Sequence, residues 1–260
     1  VRILFLGDIV GKPGLQLVRS AVPKLRHDRQ LDAVIANAEN VSNGSGCLPT
    51  AYKLLREAGV DLVTLGDHVY KKAEIISVLR DDESICRPAN FSAQSPGREF
   101  VVAALAGGVK IGAACVLGRT YMRPVNCPFE AADRVVAALQ NQTKIIVIEI
   151  HAEATADKYL LAHHLKGRVT AVLGTHTHVP TADEQVLAGG TAFICDVGMC
   201  GPHDSILGRR VDRVLSHALT NVPTPFDVAD GDVRLNGVIV DCDSETGQAN
   251  HIERLVVRGG

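Results

Sequence analysis

The chain has 260 residues, 46% hydrophobic and 22% charged, which excludes disordered and fibrous classes and suffices for one full core. Its 27 Lys and Arg against 29 Asp and Glu give a net charge of −2, so stable duplex nucleic-acid binding, which leans on many cationic phosphate contacts, is not expected. Seven cysteines, odd in number and without a CxxC pair, exclude a disulfide framework and a zinc ribbon and point to a reducing compartment.

Taken in chain order, short apolar runs rich in β-branched residues predict strands at 1–6, 33–36, 62–65, 100–105, 109–116, 145–150, 169–173, 191–195, 233–241 and 252–257. Helical patterning falls between them at 15–25, 50–58, 73–79, 129–140 and 156–164. Runs this short and this apolar read as strands buried on both faces. Alternation of strand and helix over the first two thirds predicts an α/β layered sheet, and the strand-rich last third is expected to close the fold as a second sheet. A single domain over 1–260 is expected. With a strand expected from residue 1 and no apolar run near the roughly 18 residues of a membrane span, the cytoplasm is the expected location, with no membrane partner.

The informative feature is where polar residues fall. Apolar runs stop at Gly7-Asp8, at Asn37-Ala38-Glu39-Asn40, at Gly66-Asp67-His68, at His151 and at Gly174-Thr175-His176-Thr177-His178. In α/β sheets ligands bind outside the carboxyl ends of the strands, where loops splay apart, so five such loops can converge on one point. Each has a bland alternative: Asp8 as a helix N-cap, Glu39-Asn40 as loop polarity, His151 as a packed histidine. His-Thr-His is stronger, since residues i and i+2 of an extended segment point the same way.

Together these loops supply three carboxylates (Asp8, Glu39, Asp67), three imidazoles (His151, His176, His178) and the amide of Asn40. Seven candidate ligands exceed what one tetrahedral ion needs, so two divalent ions sharing a carboxylate are expected. Mixed nitrogen and oxygen donors without thiolate suit iron or manganese, and also zinc, better than magnesium alone.

The order of these residues resembles the calcineurin-like metallophosphoesterases. It is closer still to their bacterial YmdB-like 2′,3′-cyclic-nucleotide phosphodiesterase branch. The shared run is Gly7-Asp8-Ile9-Val10-Gly11, Ala38-Glu39-Asn40, Ile148 through Thr155, Gly174 through Asp183, Asp196-Val197-Gly198-Met199 and Gly201-Pro202-His203-Asp204-Ser205. The resemblance implies a four-layer αββα sandwich with the metals at the C-terminal ends of the strands. It further implies that Glu39 bridges the ions, that Asp8, Asn40 and His178 complete one site, and that Asp67, His151 and His176 complete the other. His68 would face the substrate as phosphate stabiliser or as the acid for the leaving alkoxide, and a metal-bridging hydroxide would attack phosphorus. The implied substrate is a small phosphate ester, a 2′,3′-cyclic nucleoside monophosphate such as 2′,3′-cyclic AMP.

Two departures accompany the resemblance. Val10 stands where the superfamily has the histidine of its DxH motif, and Asp67 stands where the family has asparagine. The second adds a negative charge beside the ions, which should hold metal more tightly and repel a phosphate anion. It keeps open a phospho-ligand-binding regulator with weak or no turnover; another metal-dependent hydrolase, such as an amidohydrolase, is the remaining alternative. The stretch Ser42-Asn43-Gly44-Ser45-Gly46 is read as a turn in preference to a phosphate contact, Arg87 through Phe91 as a turn or a base contact, and the loop 198–208, with His203 and Asp204, as lining the entrance. Homo-oligomerisation is left open.

Overall fold

The computed structural model describes residues 1–259. In chain order the elements are β1 (Arg2–Leu6), β2 (Asp8–Ile9), α1 (Gly11–Asp28), β3 (Ala33–Asn37), α2 (Pro49–Glu57), β4 (Leu62–Thr64), α3 (Ile75–Asp81) and β5 (Ile85–Cys86). They continue with β6 (Phe100–Ala104), β7 (Lys110–Leu117), α4 (Pro128–Gln140), β8 (Ile145–His151), α5 (Thr155–Leu165), β9 (Ala171–Thr175), β10 (Gln185–Leu187) and β11 (Thr191–Ile194). The last are β12 (Met199–Pro202), α6 (Val211–Thr220), β13 (Val233–Cys242) and β14 (Ala249–Arg258).

The strands form two sheets. One runs β2-β12-β13-β1-β3-β4-β5 with β14 beside β13, and the other runs β10-β11-β9-β8-β7-β6. The expectation that the last third makes the second sheet is corrected here. That sheet is built from residues 100–194, and β13 returns to lie antiparallel against β1, matching Phe5 to Val238. β1 is apolar on both faces, so its exposed edge is satisfied best by another long apolar strand, and β13 supplies one.

Period-two alternation assigns the layers. In β1, Ile3 and Phe5 join Ile35 of β3 and Ile145, Val147 and Leu173 of the other sheet in a buried layer between the sheets. Leu4 and Leu6 face the other way, onto Leu15, Val18 and Val22 of α1 and Leu55 of α2. On the far sheet Ile146, Ile148 and Ile150 turn outward against Val135, Leu139 and Leu161 of α4 and α5. The order helices, sheet, sheet, helices is the expected αββα sandwich. All seven cysteines are free thiols. Among the described residues no helix is long and apolar enough to cross a membrane.

Candidate metal centre

The site begins where the layer between the sheets stops being apolar. In β3 the inward positions run Ala33, Ile35, Asn37; in β8 they run Ile145, Val147, Glu149, His151; in β9 they run Ala171, Leu173, Thr175. The same alternation that buries the apolar residues therefore buries Asn37, Glu149, His151 and Thr175 at the C-terminal strand ends.

These four are tied together. Asn37 donates from Nδ2 to Glu149 Oε1 at 2.6 Å, and Thr175 Oγ1 donates to the same oxygen at 2.5 Å. Thr175 has thereby used its only proton, so its oxygen must accept from His151 Nδ1–H at 2.9 Å. The His151 tautomer is thus set, with the Nε2 lone pair turned into the site. Asn37 Oδ1 also accepts from the Glu39 backbone N–H at 2.9 Å, which orients the next carboxylate. Sequence reasoning assigned no role to Asn37, Glu149 or Thr175. The available signal was spacing, since Asn37 and Glu149 lie two residues before Glu39 and His151.

Around His151 Nε2 lie Asp67 Oδ1 at 3.1 Å, Glu39 Oε1 at 3.3 Å and His176 Nδ1 at 3.1 Å. Donor atoms of Glu39, Asp67, His151 and His176 all fall within 4.8 Å of one another, a group that could hold a metal ion. His176 turns its other nitrogen, Nε2, to Glu153 Oε2 at 3.3 Å. With both ring protons engaged outside, two lone pairs and two carboxylates face one point with no donor among them, which is the arrangement a cation satisfies.

The remaining residues lie on the other side of Glu39. Asn40 Nδ2 is 3.1 Å from Glu39 Oε1 and 3.2 Å from His178 Nε2. His178 donates from Nδ1 to the Leu207 carbonyl at 3.0 Å, which leaves Nε2 facing inward, 4.0 Å from Asp8 Oδ1. Asp8 is fully buried; its Oδ2 accepts from the His176 backbone N–H at 3.0 Å, while Oδ1 has no partner among the described residues. An orphaned buried carboxylate oxygen beside an imidazole lone pair fits a second cation. His68 binds at the rim: its backbone N–H donates to Glu39 Oε2 at 3.0 Å, and its Nδ1 lies 2.7 Å from Asn40 Oδ1. All eight residues singled out in the sequence are therefore brought together. A Cβ at Gly66 would fall against Glu39 Oε2 and His151 Nε2, which explains the glycine before Asp67.

One expectation needs correcting. His176 and His178 do not share a face of an extended strand, because β9 ends at Thr175 and both histidines have positive φ, 94° and 67°. The turn sends them to opposite sides of Glu39. It is held by Asp196, whose Oδ2 accepts from Thr177 Oγ1 at 2.8 Å and from buried Lys158 Nζ at 2.6 Å. Sequence reasoning gave no role to this pair either.

Charge follows the geometry. Burial pushes the Asp8 carboxyl up to about 6 against the opposing pull of His178 and His151. Burial also acts to raise Asp67, but the hydrogen bond with His151 and the nearby imidazoles outweigh it and hold this carboxyl below its usual range. For His151 burial would lower the imidazole, yet Glu39, Asp67 and Glu149 raise it well above its ordinary value. Burial and the neighbouring His151 push His176 down to about 4. A proton and a cation therefore compete for the His151 Nε2 lone pair.

Glu39, Asn40, His68, His176 and His178 line a cavity of about 280 Å³, whose wall also contains Gly44, Glu153, Leu207 and Arg209. Of the loop 198–208, Leu207 reaches that wall but His203 and Asp204 do not; His203 Nδ1 bonds to the Gly201 carbonyl and Asp204 lies against Gly231. Ser42 through Gly46 is a turn, closed by Ser42 N–H donating to the Gly46 carbonyl at 3.0 Å. Arg87 is buried and spends its guanidinium on the Ser95 and Pro88 carbonyls. Phe91 lines a separate cavity with Tyr70 and Arg123.

A four-layer sandwich carrying acids, an amide and imidazoles at its strand ends defines the metallophosphoesterase class of fold. Within it, the sequence profile of the YmdB-like proteins matches residues 4–255, and the chain belongs to that family. The chain is 41% identical over 257 residues to the 2′,3′-cyclic-nucleotide 2′-phosphodiesterase of Bacillus subtilis (strain 168), covering 99% of this chain and 97% of the relative. A hypothetical protein of Thermus thermophilus matches in structure with TM-score 0.93 at 40% identity, over 100% of both chains. A novel phosphatase of Mycoplasma pneumoniae matches with TM-score 0.92 at 30% identity, covering 99% of this chain and 93% of that one.

Proposed function

We infer that this chain is a phosphoric ester hydrolase that uses two divalent cations to cleave phosphodiesters, with 2′,3′-cyclic nucleoside monophosphates as its substrate class. The observation that carries the reading is the set of inward lone pairs on Glu39, Asp67, His151 and His176, with the orphaned Asp8 Oδ1 beyond them. A 41% identical relative named as a 2′,3′-cyclic-nucleotide phosphodiesterase supports the substrate class.

Glu39 would be shared between the cations; Asp67, His151 and His176 would hold one, and Asp8, Asn40 and His178 the other. Iron or manganese suits this donor set, and zinc is compatible with it. When bound, such a pair lowers the pKa of water from about 15.7 toward 7 and neutralises charge on a phosphoryl group. The protein's part is positioning and proton delivery. Thr175 and Glu149 fix His151, Leu207 fixes His178, and Glu153 engages His176, so three imidazoles present unprotonated nitrogens inward. His68 keeps Nδ1 against Asn40 Oδ1; in its protonated form the Nε2–H is free to serve the leaving oxygen. The 280 Å³ cavity suits a small phosphorylated ligand and is too small for a duplex.

A single domain over 1–260 is proposed, because the chain leaves the first sheet, builds the second and returns to the first. Seven free thiols support a cytoplasmic setting. The test is protein purified without chelators, loaded with Mn²⁺ or Fe²⁺ and offered bis-p-nitrophenyl phosphate and 2′,3′-cyclic AMP. Two metal ions per chain and turnover of both substrates are expected, with turnover lost in His68→Ala and metal lost in Glu39→Ala. Tight ligand binding without turnover would replace the hydrolase by a regulator, and one ion per chain would remove the paired-cation reading.

A further inference from the structure

Arg209 is the one Lys or Arg in the wall of the metal-site cavity among the described residues, where it stands with Glu39, Asn40, His68 and His178. Its main chain is fixed: Ile206 and Arg209 exchange both backbone hydrogen bonds at 2.9 Å, and Gly208 just before it accepts from Ala229 N–H at 3.0 Å. Its guanidinium is fixed as well. Nη1 donates to the Asn43 carbonyl at 3.0 Å and the Phe226 carbonyl at 2.8 Å, and Nη2 donates to the Gly44 carbonyl. The group lies against Gly44, where a Cβ would overlap it.

Three neutral carbonyls orient this guanidinium without cancelling its charge. Asp227, whose field reaches it, pairs with Arg213 at 3.5 Å instead. Of the five N–H donors of an arginine, the three carbonyl bonds leave two without a protein acceptor among the described residues. Charge balance says what such a group is for. Asp8, Glu39, Asp67 and Glu153 surround the site and Glu149 lies just behind His151, so two divalent cations would at most neutralise it. Attraction for an anionic phosphoester must then come from elsewhere in the wall, and a pre-oriented guanidinium is suited to phosphoryl oxygens.

We propose that Arg209 is a substrate- and product-binding residue of this site, taking a non-reacting phosphoryl oxygen on the donors its carbonyl partners leave open. The proposal rests on the phosphoesterase reading above and adds to it a residue outside the metal-binding set. Arg209 touches the phosphate and takes no part in proton transfer, so its removal acts on binding.

The experiment compares full-length Mn²⁺-loaded wild type with Arg209→Met and Arg209→Lys. It reads inorganic phosphate affinity by calorimetry and KM and kcat on bis-p-nitrophenyl phosphate, with metal content and melting temperature recorded. Arg209→Met is expected to weaken phosphate binding and raise KM by about tenfold each, with kcat changed by less than about threefold and metal content unchanged. Arg209→Lys is expected to recover part of the phosphate affinity. Should Arg209→Met melt early, Arg209→Gln carries the same expectation. Unchanged phosphate affinity and KM at wild-type metal content would overturn the proposal and leave Arg209 as a tie for the 43–44 turn. Loss of phosphate affinity in the variant, with no hydrolysis even by wild type, would sustain the anion site while removing the hydrolase reading.

Discussion

Lys158 Nζ lies 2.6 Å from Asp196 Oδ2, with both side chains almost completely buried. Asp196 also accepts from Thr177 and from the Gly198 N–H, so this ion pair underlies the turn that presents His176 and His178. Lys158→Met would leave the carboxylate without its cation in a buried position. A destabilisation of about 3–5 kcal/mol is expected, read as a lower urea midpoint. A loss below about 1 kcal/mol would show that the backbone donors alone satisfy Asp196.

The His151–Thr175–Glu149 relay makes a separate prediction. Thr175→Val keeps the shape but removes the acceptor for His151 Nδ1–H and the donor to Glu149 Oε1. Affinity for the cation is expected to fall by about 10–100-fold, measured by competition with a chelator. Unchanged affinity would mean that packing alone orients the ring.

Asp67→Asn removes a carboxylate whose Oδ1 is 3.1 Å from His151 Nε2 and whose Oδ2 is 3.9 Å from His68 Nε2. Metal binding is expected to weaken by roughly tenfold, while turnover at saturating metal changes by at least about threefold or shifts its metal preference. Equal turnover and equal metal content in the two proteins would remove the electrostatic role assigned to this position.

Cation and proton compete for the same lone pairs. His151, raised well above its ordinary value by Glu39 despite burial, holds a proton that the cation must displace, and Asp8, pushed up to about 6 by burial, takes one up as pH falls through that value. Metal binding at pH 7 is therefore expected to release protons. Affinity should drop as pH falls from 7 toward 5, because Asp8 then becomes protonated before binding. Calorimetry in buffers of different ionisation enthalpy reads the protons released, and none released at pH 7 would contradict this account.

Much of the site was legible because its chemistry interrupts apolar runs, and an acid or imidazole after a run of buried residues has few structural uses. The strands of both sheets were legible for the same reason. β9 was expected two residues early, since Val169 and Thr170 extend the apolar run, while pairing with β8 begins at Ala171. The two-residue strands β2 and β5, the three-residue β10 and the four-residue β12 were not legible, because pairing rather than patterning makes them strands. α6 was missed for the converse reason: Leu215 and Leu219 remain exposed, so its apolar positions answer to no neighbour. Arg209 was invisible in sequence because its carbonyl partners lie at 43, 44 and 226, and only folding brings them together.

The placement of β13 has a consequence for how the chain is made. All seven candidate cation ligands lie between residues 8 and 178, whereas the strand that flanks β1 spans Val233–Cys242. During synthesis the ribosome thus releases every one of these candidate ligands while β1 still has a bare edge. An emerging chain can assemble its inner chemistry early, but its first sheet stays open to mispairing until the closing hairpin arrives.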